Sequence, residues 1–225
     1  MRNIKLTIEY DGSGFGGWQK QPNKLNIQGE IESAIKLITK EDVELNASRE
    51  NWFPGCIVCG QIANFKMENK IELEKLKKAL NSNLKNSIII KEIEEVDEKF
   101  HSRYNCKQKT YRYVINNSET GSSILRALEY HIPQKLDIDK MKEAVKYFEG
   151  THDFKGFKAS GTSSKSSVRT IYKAEVIKRG DRILIELTGN GFLYNMVRII
   201  AGTLVDVGLR KNRTKKYTRY NKHRR

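Results

Sequence analysis

The 225-residue chain carries a formal net charge of +15, with 38% apolar and 31% charged residues. That allows one large domain or two small ones with modest cores, and it favours a polyanionic partner. The lack of any apolar run of about eighteen residues excludes a membrane-spanning helix.

Met1-Arg2-Asn3-Ile4-Lys5 enters a strand pattern at once, leaving no room for a signal peptide. Three cysteines cannot all pair, so a reduced, cytoplasmic protein is expected. The charge is uneven. Residues 210–225 hold nine Lys or Arg and no acid, which leaves residues 1–209 with +6. A basic surface arising from a Lys-, Asn- and Ile-rich genome is the plain alternative to a nucleic-acid partner.

Residues 4–10 alternate, with Ile4, Leu6, Ile8 and Tyr10 on one face, which predicts a half-buried strand. Asp11-Gly12-Ser13-Gly14 reads as a turn in which Asp11 serves local hydrogen bonding. Helical spacing over 27–38 and again over 71–84 predicts two amphipathic helices. Val43 and Leu45 alternate with polar residues as a strand would, and further strands are expected at 60–65, 88–96 and 111–115. The second half predicts a helix over 141–148, a polar loop over 160–167, strands at 171–177 and 183–187 joined by Arg179-Gly180-Asp181, and an apolar helix over 192–207. The expected fold class is α+β, with two similar halves of antiparallel sheet flanked by helices. The expected boundaries are 1–105, 106–209 and an unfolded basic tail at 210–225.

The stretch from Ala47 to Phe65 does not fit this rhythm. Trp52, Phe53, Pro54, Cys56 and Cys59 crowd a segment too apolar for a surface loop, and Pro54-Gly55 breaks a strand. Cys56 and Cys59 have zinc-ligand spacing, with His101 and Cys106 available. One such pair without a second is a weak metal signal, so no metal is expected.

Five stretches in order resemble the tRNA pseudouridine synthase A family. They are Tyr10-Asp11-Gly12-Ser13-Gly14-Phe15-Gly16-Gly17-Trp18-Gln19-Lys20-Gln21; Ile27-Gln28-Gly29-Glu30-Ile31-Glu32; Phe100-His101-Ser102-Arg103-Tyr104 with Lys109-Thr110-Tyr111-Arg112-Tyr113; Gly150-Thr151-His152-Asp153-Phe154-Lys155-Gly156-Phe157; and Gly189-Asn190-Gly191-Phe192-Leu193-Tyr194-Asn195-Met196-Val197-Arg198. The resemblance spans residues 3–47 and 60–208. It implies a pseudouridine synthase fold with a basic cleft, a homodimer, no cofactor, no metal, and a tRNA anticodon arm as substrate. It also implies an Asp carboxylate as nucleophile, an Arg that pairs with it, and an aromatic ring stacked on the extruded uracil.

By that resemblance Tyr111 is the stacking ring and Arg198 the partner of the acid. Gly189 and Gly191 let the backbone approach substrate, while His152 and Asp153 are structural. A core tyrosine is the plain alternative for Tyr111. Arg198 is also singled out by its own surroundings, because a lone cation in an apolar helix needs an anion or must reach solvent.

The family signature, Gly/Ser-Arg-Thr-Asp-Ala/Ser-Gly-Val-His-Ala, is disrupted. Arg49 can be its Arg, but Glu50-Asn51 follows where Thr-Asp is expected, and no Asp occurs between Asp42 and Asp97. Asn51 holds the nucleophile's position counted from Arg49, and Phe53 holds it counted back from Gly60. A shifted reading frame accounts for the departure. Codons for Phe53 to Cys59 can be chosen so that the frame one base earlier spells Ser-Gly-Val-His-Ser-Leu. Codons for residues 211–221 can likewise hide an acidic, amphipathic segment one base later. Three readings follow: a synthase impaired by loss of its acid, a tRNA-binding protein without chemistry, or a frameshifted product that folds poorly.

Overall fold

A computed structural model describes residues 1–21, 23–47, 57–160 and 166–210. The chain divides into two compact units, Met1–Cys106 and Lys107–Arg225. Each has its own apolar core. Among the described residues no helix is long and apolar enough to cross a membrane.

The first unit runs β1 (Arg2–Asp11), α1 (Ile27–Thr39), β2 (Asn46–Ala47), β3 (Ile57–Met67), α2 (Leu73–Asn83) and β4 (Ile88–Val96). Its sheet has the order β2-β3-β1-β4 and is antiparallel throughout. The alternation in β1 sends Ile4, Leu6 and Ile8 into a core shared with Ile31 and Ile35 of α1 and Leu76 and Leu80 of α2. Both helices therefore cover one face of the sheet. Asn26 caps α1 by accepting from the Gly29 N–H at 2.8 Å, and Lys40 ends it in the left-handed region. Asp11 accepts from the N–H and Oγ of Ser13, which holds its carboxyl below the ordinary carboxylate range. Residues 41–45 form no strand. Val43 and Leu45 still pack on the core, so their alternation reports burial rather than pairing.

The second unit runs β5 (Lys109–Asn116), β6 (Tyr130–His131), α3 (Ile138–Lys146), β7 (Gly150–Asp153), β8 (Val168–Arg179), β9 (Arg182–Gly189) and α4 (Met196–Gly208). The sheet order is β6-β5-β9-β8-β7. It is not purely antiparallel as expected, because β6 pairs in parallel with Ile115 and Asn116 at the end of β5. Ile115, Ile171, Ile183, Ile185 and Leu187 pack against Met141 and Val145 of α3 and Ile200 and Leu204 of α4. The helix expected from Phe192 begins at Met196 instead. Asn195 adopts a left-handed conformation (φ 58°) and breaks the helix there, although Phe192 and Leu193 remain buried.

Candidate active site

The candidate residues divide between the two units. Arg49 and Asn51 lie outside the described residues, as do Trp52, Phe53, Pro54, Cys56 and the basic run from 211 onward. What is described on their N-terminal side is β2, whose Asn46 and Ala47 pair with Asn64 and Ala63 of β3.

In the second unit Tyr111 lies on β5, Gly189 ends β9, Gly191 follows it, and Arg198 lies on α4. Tyr111 lies on β5 opposite Leu187 of β9, two positions before Gly189, and Gly189 itself pairs with Lys109 and Ile171. The Tyr111 ring is half-buried and meets Phe192 edge-on, with centroids 5.0 Å apart. It therefore packs on the core while keeping part of its surface outside. Gly189 has a reason within the sheet: a Cβ there would stand 2.7 Å from the Thr170 carbonyl oxygen and 2.9 Å from Ile171 Cδ1. Gly191 is buried in the turn that leads to α4.

Arg198 is exposed, so the desolvation argument that singled it out does not hold in this unit. The physical reason is the face it occupies: Arg198 and Gly202 are exposed on one side of α4, while Met196, Ile200 and Leu204 are buried on the other. A cation in the first turn of α4 opposes the helix dipole.

Arg198 lines a cleft of about 700 Å³ together with Tyr113, Tyr130, His131, Gly202 and Asp206. Tyr113 shares a face of β5 with Tyr111. Burial pushes the Tyr113 phenol above its ordinary value, against the pull of the Arg198 guanidinium. Sequence reasoning missed this lining. Asp206, two helical turns beyond Arg198, was recoverable from spacing. Tyr130 and His131 were not, since a two-residue strand has no period to read.

His152 and Asp153 make local hydrogen bonds. His152 Nε2 contacts the Glu149 carbonyl oxygen at 2.6 Å, and the Asp153 carboxylate accepts from Ser167 Oγ at 2.5 Å. Cys59 and Cys106 are exposed thiols. Among the described residues no group of three or more His, Cys, Asp or Glu is placed to hold a metal.

Two α+β units, each a sheet backed by helices, fit the pseudouridine synthase class of architecture. A family model described as tRNA pseudouridine synthase matches residues 144–225, a span that includes the basic run from Arg210. Among curated relatives, the tRNA pseudouridine synthase A of Acetivibrio thermocellus is 49% identical over 214 residues, covering 95% of this chain and 87% of that protein. That of Caldicellulosiruptor saccharolyticus is 51% identical over 209 residues, covering 93% and 85%. The tRNA pseudouridine synthase A 2 of Clostridium perfringens is 49% identical over 214 residues, covering 95% and 87%. The chain belongs to the tRNA pseudouridine synthase A family.

Proposed function

We propose that this chain is a tRNA uridine isomerase by descent, acting on the anticodon arm, and that as written it binds tRNA but turns over slowly. One observation carries the second half: a chain about half identical to named synthases holds no Asp between Asp42 and Asp97. The reaction breaks the N1–C1′ bond of uridine and forms a C5–C1′ bond. N1 gains a proton and C5 loses one, so the product is an isomer and no co-reactant is consumed. An ionised carboxylate is suited to open this sequence. The neutral amide of Asn51 is not, because it has no anionic oxygen to form the covalent intermediate. In this reading Arg49 flanks the vacant position, Arg198 is the cation meant for the acid, Tyr111 supplies the stacking ring, and Gly189 and Gly191 shape the approach. The resemblance also carries a cytoplasmic homodimer, which sedimentation of the purified chain tests.

The experiment is tritium release from tRNA labelled at uracil C5. The unaltered chain should bind tRNA and release tritium near the background rate. A Glu50→Thr, Asn51→Asp double substitution should raise release by at least 10²-fold, the lower range attributed to a single catalytic group. A normal rate from the unaltered chain would show that the attacking group lies elsewhere. Failure of the double variant, while folded and binding tRNA, would favour the second reading, a binding protein whose chemistry is lost beyond one residue.

A further inference from the structure

The segment after β4 has a role that the proposed chemistry does not use. Residues 97–106 return across the sheet face opposite the helices, and a buried polar network fixes them there. Asn3, Asn64 and Ser102 are 2%, 3% and 4% exposed. Asn3 Nδ2 donates to the carbonyl oxygens of Asp97 at 2.8 Å and Phe100 at 2.9 Å. Asn64 Nδ2 donates to Asn3 Oδ1 at 2.9 Å, and Asn64 Oδ1 accepts from the Ser102 N–H at 2.9 Å. Ser102 Oγ donates to the Asn46 carbonyl oxygen at 2.7 Å, three residues before Arg49 in sequence. A fully satisfied buried network of this kind holds a loop in one conformation.

What the network displays is a tyrosine. Tyr104 is 74% exposed, although it sits in a turn closed by bonds from the Tyr104 and Asn105 N–H groups to the His101 carbonyl oxygen at 3.0 and 2.9 Å. The His101 ring lies 4.4 Å from the Tyr104 ring, tilted by 47°. The Arg103 guanidinium lies 5.4 Å from the Tyr104 centroid. Asn105 Oδ1 accepts from the His101 N–H at 2.8 Å and closes the turn from the other side. A large ring kept in water on a rigid turn, beside a cation, combines the two features that single-stranded nucleic acid recognises.

We infer that Tyr104 is a stacking platform for an unpaired nucleobase of the tRNA, with Arg103 contacting the adjoining phosphate. The inference rests on the tRNA-binding reading above and adds a recognition residue to it. The buried bonds account for the rigidity, and the Asn46 contact ties the platform to the strand that leads to Arg49. Stacking on an aromatic face suits the splayed bases of an RNA loop and offers nothing to a paired stem.

The test uses the full chain and an anticodon-arm RNA hairpin with 2-aminopurine in its loop. Tyr104→Ala should weaken hairpin binding about tenfold or more and abolish the fluorescence change, while Tyr104→Phe keeps both. Arg103→Gln should lower the slope of log affinity against log salt by about one. Neither position touches the core, and unchanged thermal melts will confirm that the variants fold. Equal hairpin binding by the unaltered chain and Tyr104→Ala would overturn the inference and leave the functional reading standing. No hairpin binding by the unaltered chain would overturn both. A changed sedimentation coefficient for Tyr104→Ala with unchanged RNA affinity would assign the ring to a protein interface and also overturn it.

Discussion

At the scale of single residues, the same side chain can serve packing and chemistry, and the structure separates the two. Gly189 is required by its neighbours before any substrate is considered. A methyl group would have to share space with the Thr170 carbonyl oxygen and Ile171 Cδ1, and backbone yields less readily than a flexible side-chain tip. Gly189→Ala should therefore destabilise the second unit by about 1–3 kcal/mol, measured by urea unfolding. No loss of stability would mean that the strand relaxes freely and that the glycine is kept for substrate approach. Tyr111 is half-buried, with its ring edge-on to Phe192. Arg198 differs. It is exposed and lies in the first turn of α4.

Elements are held in register by apolar alternation on one face and by polar anchors on the other. In β1 the inward residues Ile4, Leu6 and Ile8 are fully buried, and the outward Asn3 is buried too, because residues 97–106 cover it. Asn64 is the hub of that anchor. Asn64→Leu would strand the Ser102 N–H and one side of Asn3 in a dry site, at about 1–3 kcal/mol for each unsatisfied group. The expected outcome is a lower urea midpoint together with faster amide exchange at Ser102 to Cys106. Unchanged exchange there would show that the loop is fixed by other means. The ion pairs elsewhere on these elements, such as Lys5 with Glu94 and Lys36 with Asp42, are solvent-exposed and contribute little by comparison.

For the whole molecule, charge sets the reach and the units set the specificity. A chain with +15 net charge should bind tRNA with steep salt dependence. Eight of the basic residues lie beyond Arg210, where no acid offsets them. Changing those eight Lys and Arg to Gln should make the plot of log affinity against log salt clearly shallower while leaving the tenfold effect of Tyr104→Ala in place. An unchanged slope would assign the phosphate contacts to residues 1–210 instead. The proposal of an impaired synthase also belongs at this scale, since under it tRNA affinity and turnover would separate.

Periodicity and motif order by themselves determined the α+β class, most of the elements and the family. Apolar spacing in 4–10, 27–38, 88–96 and 183–187 reports which residues leave water, and that constraint is local. That no Asp lies between Asp42 and Asp97 is equally a property of the sequence, since the amino acids present decide it. Only tertiary structure decided that Arg198 faces solvent, that Tyr130 and His131 join it along one cleft, and that Asn3, Asn64 and Ser102 form one buried network. Those facts depend on bonds between residues as far apart as Asn3 and Phe100 and on which face of α4 packs on the sheet. Such contacts satisfy individual donors and acceptors, and a hydrogen bond leaves no period in the chain that makes it.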